Sequence, residues 1–429
     1  MEIDKFVKNL GKICDEFAIN VTDGTTEEVR FSENTIDLDS EWSNPSYTVF
    51  AARGKKIVET SLDSLESWEG KLRALSNMLE NAPENPDFYG INPVKFSYHN
   101  IQEYRNADIH GMAGDMIHGA RDGGADRAAG LIYLHNLRNR VITPWNDQEY
   151  SESSLELVVR AFKGSNSGQE ALHYGMDSME SANPYGAGMS AARTATLTDK
   201  KASIDEGKYD VIFSPYTMGT VLSYNMEFLS YYSINAGLSP FLDRAGQVVA
   251  SKNVTIFDDP LDKRGAGFTP VDQEGTATSR VNLIENGILK GYLHSYSTGR
   301  QSGNQSTGNA GIIQPMPWQI HMAGGSGNPD DMIAGMKKGL LINNSWYARF
   351  QDESNGTFST VPRDGIFLIE NGEVSGSLEG IRISDSILNI LMHVRELSRE
   401  EKYVKWWDEI HASIMPYALV ENVNISKGF

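Results

Sequence analysis

Cysteine is nearly absent from the 429 residues, and Cys14 stands alone. A single thiol excludes an internal disulfide and any cysteine-rich zinc site, and it suits a reducing cytoplasm. Histidine is sparse as well: of the nine present, no two lie four residues apart, so no single helix offers two imidazoles one turn apart. Positive charge is short, with 38 Lys and Arg against 57 Asp and Glu. The resulting net charge of −19 opposes non-specific attraction to nucleic acid or anionic membranes. No apolar run reaches the length that crosses a bilayer. Neither a Gly-x-Ser-x-Gly elbow nor a Walker loop occurs, which removes the commonest serine-hydrolase and nucleotide-hydrolase signatures. The opening stretch is acidic and amphipathic, without the basic start, apolar block or cleavage site of an export signal. A soluble, cytoplasmic protein is the expectation.

What is abundant is turn chemistry, concentrated between Gly265 and Asn309. Gly265, Gly267, Pro270 and Gly275 surround Asp272 and Glu274 and predict a shaped, exposed loop. Val281 to Glu285 and Ile288 to Tyr296 are β-rich runs joined by Asn286-Gly287, the pair that best accepts the positive φ angles of a type I′ hairpin. Ser302 to Asn309 then holds glycines, small hydroxyls and amides, a composition that brings backbone donors close to a ligand. The pentapeptide Leu283 to Gly287 returns unchanged as Leu368 to Gly372, which predicts a second, similar hairpin in one antiparallel sheet system.

Length suggests more than one domain. Ile3, Phe6, Val7, Leu10, Ile13 and Phe17 have helical spacing, and Leu65 to Leu79 marks a second amphipathic helix ended by Pro83. Between them, runs at 28–31, 35–42, 47–53 and 56–60 read as a meander of strands, and Asn81 to Asn92 as a connector. A helix near Ile109 to Ile117 precedes strands at 131–134, 141–143 and 155–162. The fold class is α+β: an N-terminal domain over 1–200, with helices covering one face of an antiparallel sheet, then a β-rich C-terminal domain over 206–429. Residues 164–205, rich in Gly, Ser and Ala, read as a connector or flap. Gly186 to Ala191 fits a dinucleotide fingerprint poorly, because Asn183-Pro184-Tyr185 stands where a buried strand is required. In the second half a helix spans Met218 to Leu238, another starts at Asn328-Pro329-Asp330-Asp331, Ser384 caps a helix over Ile387 to Leu397, and Glu400 onward forms a polar helix before a strand at 417–425.

Asp258-Asp259-Pro260, Asp272-Gln273-Glu274-Gly275, the two Leu-Ile-Glu-Asn-Gly copies, Ser306-Thr307-Gly308-Asn309-Ala310 and Lys338-Gly339 together resemble the TldD/PmbA family of peptidases, also called modulators of DNA gyrase. The resemblance covers most of 210–397. It implies two related subunit types: a TldD type whose His-Glu-x-x-x-His helix, with a cysteine near the C-terminus, binds zinc, and a PmbA/TldE type that lacks it. At the equivalent helix this chain reads Val221-Leu222-Ser223-Tyr224-Asn225-Met226-Glu227-Phe228, without histidine, and no cysteine follows Cys14. The resemblance therefore implies a PmbA/TldE-like subunit with no zinc of its own, a zinc-bearing TldD-type partner in a homo- or hetero-dimer, and small unstructured peptides as substrates. Alternatives are a homodimeric, non-catalytic peptide-binding protein, or a regulator of DNA gyrase acting through protein contacts. No catalytic residue is assigned. His294, Arg300, Thr307, Gly308 and Asn309 are the expected substrate-binding residues, with an extended peptide added as a strand at a sheet edge. Asp258, Asp259, Asp262, Asp272 and Glu274 offer a weaker hard-cation site, and His110 and His118 fall on one helix as surface or satisfied core residues.

Overall fold

The computed structural model describes residues 2–93 and 95–427. The first half contains α1 (Glu2–Leu10), β1 (Glu16–Ser32), β2 (Thr35–Trp42), β3 (Ser46–Arg53), β4 (Lys56–Leu62), α2 (Trp68–Asn81), β5 (His99–Asn100), α3 (Ile109–Asp122), β6 (Arg127–Ile142), β7 (Asp147–Lys163), β8 (Asn166–Gly175) and α4 (Pro184–Thr196). The strands form one sheet in the order β4-β3-β1-β6-β7-β5, with β2 also on β1 and β8 also on β7. All pairings are antiparallel except β5 with β7.

α1 stops at Leu10, and Phe17, expected on its apolar face, lies on β1 instead. Gly11 follows the helix, and from Glu16 the backbone bonds are taken by β3. Cys14 packs beneath, its thiol donating to the Leu10 carbonyl at 3.2 Å. Burial pushes that thiol up to about 12, which leaves it inert.

The helices cover one face of the sheet. Phe6, Leu10, Leu72, Leu75 and Leu79 pack on Ile19, Val49 and Ala51, and Met116, Ala120, Ala191 and Ala195 pack on Val29, Ile132, Leu157 and Val159. The segment expected as a connector or flap therefore holds a paired strand and a buried helix. The buried face of α4 is made of small residues, Ala187, Gly188, Ala191, Ala192 and Ala195, because it approaches α3 closely: a Cβ on Gly119 would collide with the Tyr185 carbonyl, and one on Gly188 with that of Met116. His110 and His118 are exposed on α3.

The second half contains β9 (Gly207–Phe213), α5 (Pro215–Asn225), a 3-10 turn (Met226–Leu229), α6 (Tyr231–Asn235), β10 (Ile256–Asp258), β11 (Val281–Glu285), β12 (Ile288–Leu289), α7 (Tyr296–Ser302), β13 (Gln319–Met322), α8 (Pro329–Ala334), β14 (Lys338–Ile342), β15 (Ser345–Asp352), β16 (Thr357–Pro362), β17 (Ile366–Glu370), β18 (Glu373–Ser377), β19 (Ile381–Ser386), α9 (Ile387–Met392), β20 (Val394–Val404) and β21 (Ala412–Lys427). The single helix expected over 218–238 is thus three short pieces. The sheet is mixed, since β13 with β21 and β9 with β14 run parallel. β21 is its hub, bonded to β9, β13, β19 and β20.

Asn328 caps α8, its side chain accepting from the Asp330 amide at 2.8 Å. The cap of α9 is Ser386 and not Ser384, which pairs within β19. The expected polar helix from Glu400 is instead the end of β20, because β21 takes its backbone groups from Glu401 to Val404. No helix among the described residues is long and apolar enough to cross a membrane.

Two polar junctions tie the sheets. Lys402 of β20 donates to both carboxyl oxygens of Glu170 on β8, at 3.1 and 3.2 Å, and the Tyr216 hydroxyl of α5 also donates to Glu170. Arg160 of β7 donates to Asp364 at 2.8 Å, and Asn344 donates to the other Asp364 oxygen at 3.0 Å.

Candidate functional site

The turn-rich stretch lies against the face of the first sheet that the helices leave bare. Its frame is built from buried carboxylates. Asp258 ends β10 and is fully buried, accepting from the amides of Trp318 at 2.9 Å and Gln319 at 2.7 Å and from Asn309 Nδ2 at 2.6 Å. Burial pushes its carboxyl up to about 7 despite those three donors. Asp272 is held by the amides of Glu274 at 3.0 Å, Thr276 at 2.8 Å and Ala310 at 3.1 Å, so it stitches its own loop to the segment after α7. Burial raises it to about 7 as well. Burial, then the Asp272 charge, hold Glu274 well above the usual carboxylate range.

The five expected binding residues separate into three places. Thr307 pins the backbone of His294, donating its amide to the His294 carbonyl at 3.1 Å and accepting the His294 amide on Oγ1 at 2.9 Å. The His294 ring packs against Tyr231 at 4.8 Å between centroids, and burial pushes it down to about 4. Both residues line a depression of about 450 Å³ with Asn282, Lys290, Tyr292 and Asn304. Arg300 is exposed in the last turn of α7, over the Tyr296 ring, where its charge suits the helix C-terminus. Gly308 and Asn309 are struts. Gly308 has φ +76° and gives its carbonyl to Trp318 Nε1 at 2.9 Å, while Asn309 is buried against Asp258.

The five acids, likewise, are not one cluster. Asp262 accepts Arg264 Nε at 2.9 Å, Asp258 and Asp272 are occupied by amides, and Glu274 alone lines a cavity. That second cavity, about 470 Å³, draws Phe50 from β3, Ile57 from β4, Phe88 from the connector, Tyr232 from α6, and Ser297 and Gln301 from α7. Sequence alone does not bring these walls together, because they come from distant segments. One signal was present: Phe88 is an aromatic between Pro86 and Gly90, and a polar connector has no use for it unless it docks.

At α5, Ser223 Oγ accepts the His411 amide at 2.8 Å, the Tyr224 hydroxyl reaches Asp408 at 3.4 Å, and Glu227, just beyond, meets His411 Nε2 at 3.2 Å. Among the described residues no group of three or more His, Cys, Asp or Glu is placed to hold a metal ion. One carboxylate and one imidazole do not fit a zinc site, which takes three or four such ligands.

Comparison with known proteins gives a consistent result. Residues 206–427, slightly over half of the chain, match the PmbA/TldA metallopeptidase C-terminal domain. A metalloprotease of Methanocaldococcus jannaschii is 29% identical over 204 residues, 46% of this chain and 44% of that protein. A metalloprotease PmbA homologue of Haemophilus influenzae is 27% identical over 212 residues, 49% of this chain and 46% of that protein. Each match thus spans less than half of the relative. The crystal structure of TldE from Thermococcus kodakarensis superposes with a TM-score of 0.81 at 20% identity, covering 99% of this chain and 100% of that one, which shows a common fold.

Proposed function

The chain belongs to the TldD/PmbA metallopeptidase family, and we propose that within it this is a PmbA/TldE-type subunit, without zinc of its own, that handles peptides for a zinc-bearing TldD-type partner. Its domains are 1–200 and 206–429. The observation that carries the reading is the donor set at α5, where Val221 to Phe228, the stretch equivalent by resemblance to the family's zinc-binding motif, holds no histidine and Glu227 is engaged by His411. Hydrolysis then belongs to the partner, and this chain binds and orients the substrate.

The depression beside β11 supports the binding role. Val281 and Asn282 pair with β10 on one side, while on the other the return of the hairpin covers only Leu283 to Glu285, Lys290 donating its amide to the Leu283 carbonyl at 2.8 Å. An extended peptide can take the vacant edge through backbone bonds that do not depend on its sequence, with His294 and Thr307 beneath it.

The test is co-expression with a homologue that carries the His-Glu-x-x-x-His helix. The two chains should co-purify, and only the pair should cleave an unstructured peptide. Cleavage by this chain alone, after exhaustive chelation, would overturn the division of labour.

A further inference from the structure

The cavity that contains Glu274 lies on the other side of segment 294–298 from the strand-edge depression. Phe50 and Ile57 of the first sheet and Phe88 of the connector wall it on one side, and Tyr232, Ile312 and Ile313 of the second half on the other. Glu274 is set among them with about nine-tenths of its surface buried. Its Oε2 accepts the Tyr296 amide at 3.1 Å, and among the described residues no donor reaches its other oxygen. Asp87 also lines the cavity, one of its oxygens accepting Gln301 Nε2 at 2.9 Å. Among the described lining residues there is no Lys, Arg or His.

A largely buried carboxyl with no cation beside it is expensive to ionise. A ligand that brings its own cation removes that cost and donates hydrogen bonds to the free oxygen. The cavity falls in the range of roughly 300–1,000 Å³ typical of small-ligand sites, and the part of its wall made by Phe50, Ile57, Phe88 and Ile312 accepts a hydrocarbon stem. We propose that this cavity binds a primary ammonium carried on an apolar stem, either the free amino end of a peptide or a lysine side chain, with Glu274 as its counter-charge.

The charged groups that face Glu274 are all acidic. Asp272 lies beside it, Glu16 acts on it from β1 while accepting the Ile91 amide at 2.7 Å, and Asp87 stands across the cavity. Burial and these charges raise Glu274 well above the usual carboxylate range and so favour its protonated form without a ligand. A bound ammonium favours the ionised carboxylate, so binding is accompanied by proton release to solvent. The choice of a peptide as natural ligand rests on the peptide-handling reading; the ammonium site itself does not.

Calorimetric titration of the full chain tests it with four probes: 3-phenylpropylamine, a lysine-free peptide with a free amino end, the same peptide N-acetylated, and an N-acetylated peptide with one lysine. The amine and at least one ammonium-bearing peptide should bind at least about tenfold more tightly than the acetylated, lysine-free peptide. Which peptide binds identifies the source of the ammonium. Glu274→Gln should weaken amine binding about tenfold or more, and the proton release seen by comparing phosphate with Tris buffer should vanish. Should that variant fold poorly, Ile57→Lys places a competing ammonium in the wall and should block binding. Equal affinity for the amine and the acetylated, lysine-free peptide, or for wild type and a folded Glu274→Gln, overturns the inference. Binding of the amine but of no peptide upholds the site and sinks the peptide reading, whereas failure of the amine sinks the site and leaves the co-purification test untouched.

Discussion

The same five residues make two turns in this molecule, and the two turns end differently. In both copies the Asn-Gly pair takes the left-handed angles of a type I′ turn, with φ of 49° and 81° at Asn286 and Gly287 and of 52° and 83° at Asn371 and Gly372. In both, the glycine touches a neighbouring backbone that leaves no room for a side chain, the Ala250 carbonyl in one case and that of Ala334 in the other. Beyond the turn they diverge. The later hairpin returns for five residues, Glu373–Ser377, while the earlier one leaves the sheet after Leu289. From there the chain runs through His294 into α7, lining the depression on one side and the Glu274 cavity on the other. Identical local chemistry sets the turn, and what the chain does afterwards sets whether a site can exist beside it.

Three changes probe that contrast, in falling order of effect. Gly287→Ala and Gly372→Ala should each cost about 3 kcal/mol, from a positive φ and a backbone collision together. Denaturant unfolding measures the loss, and only the former should also disturb peptide binding. Acid comes next. Burial holds His294 at about 4, below the ordinary histidine value near 6.5, so the unfolded chain binds its proton first as pH falls. The stability contributed by neutral His294 is complete above about 6.5 and is lost toward 4, on the order of 1 kcal/mol, and His294→Gln should flatten that part of the curve. The later hairpin contains no histidine and adds nothing to that slope. Least of all, Lys290→Ala removes an exposed ion pair with Glu285 at 3.0 Å and should change stability by less than about 0.5 kcal/mol.

What could be read from the sequence was whatever is decided within a few residues. Asn286-Gly287, Asn371-Gly372 and the Asn328-Pro329 helix start are of that kind, as are the meander of β2 to β4 and the α+β class. What could not be read depended on a distant partner. α4 is buried through small residues that permit close approach, so it lacks the bulky periodicity that marks a helix. β20 has the polar composition of a surface helix and is a strand because β21 pairs with it. Asn309 and Gly308 have the composition of a binding loop, yet Asp258 and Trp318 claim them. Glu274 was visible only as one acid among five, and the cavity that sets it apart needs β3, β4, the connector, α6 and α7 together.

The bond from Lys402 to Glu170 has a mechanical meaning. Removing either partner alone would leave the other charge buried and unpaired between the two sheets, at a cost of several kcal/mol. The halves are thus joined at one edge through a buried ion pair, and a single substitution there is felt on both sides of the seam.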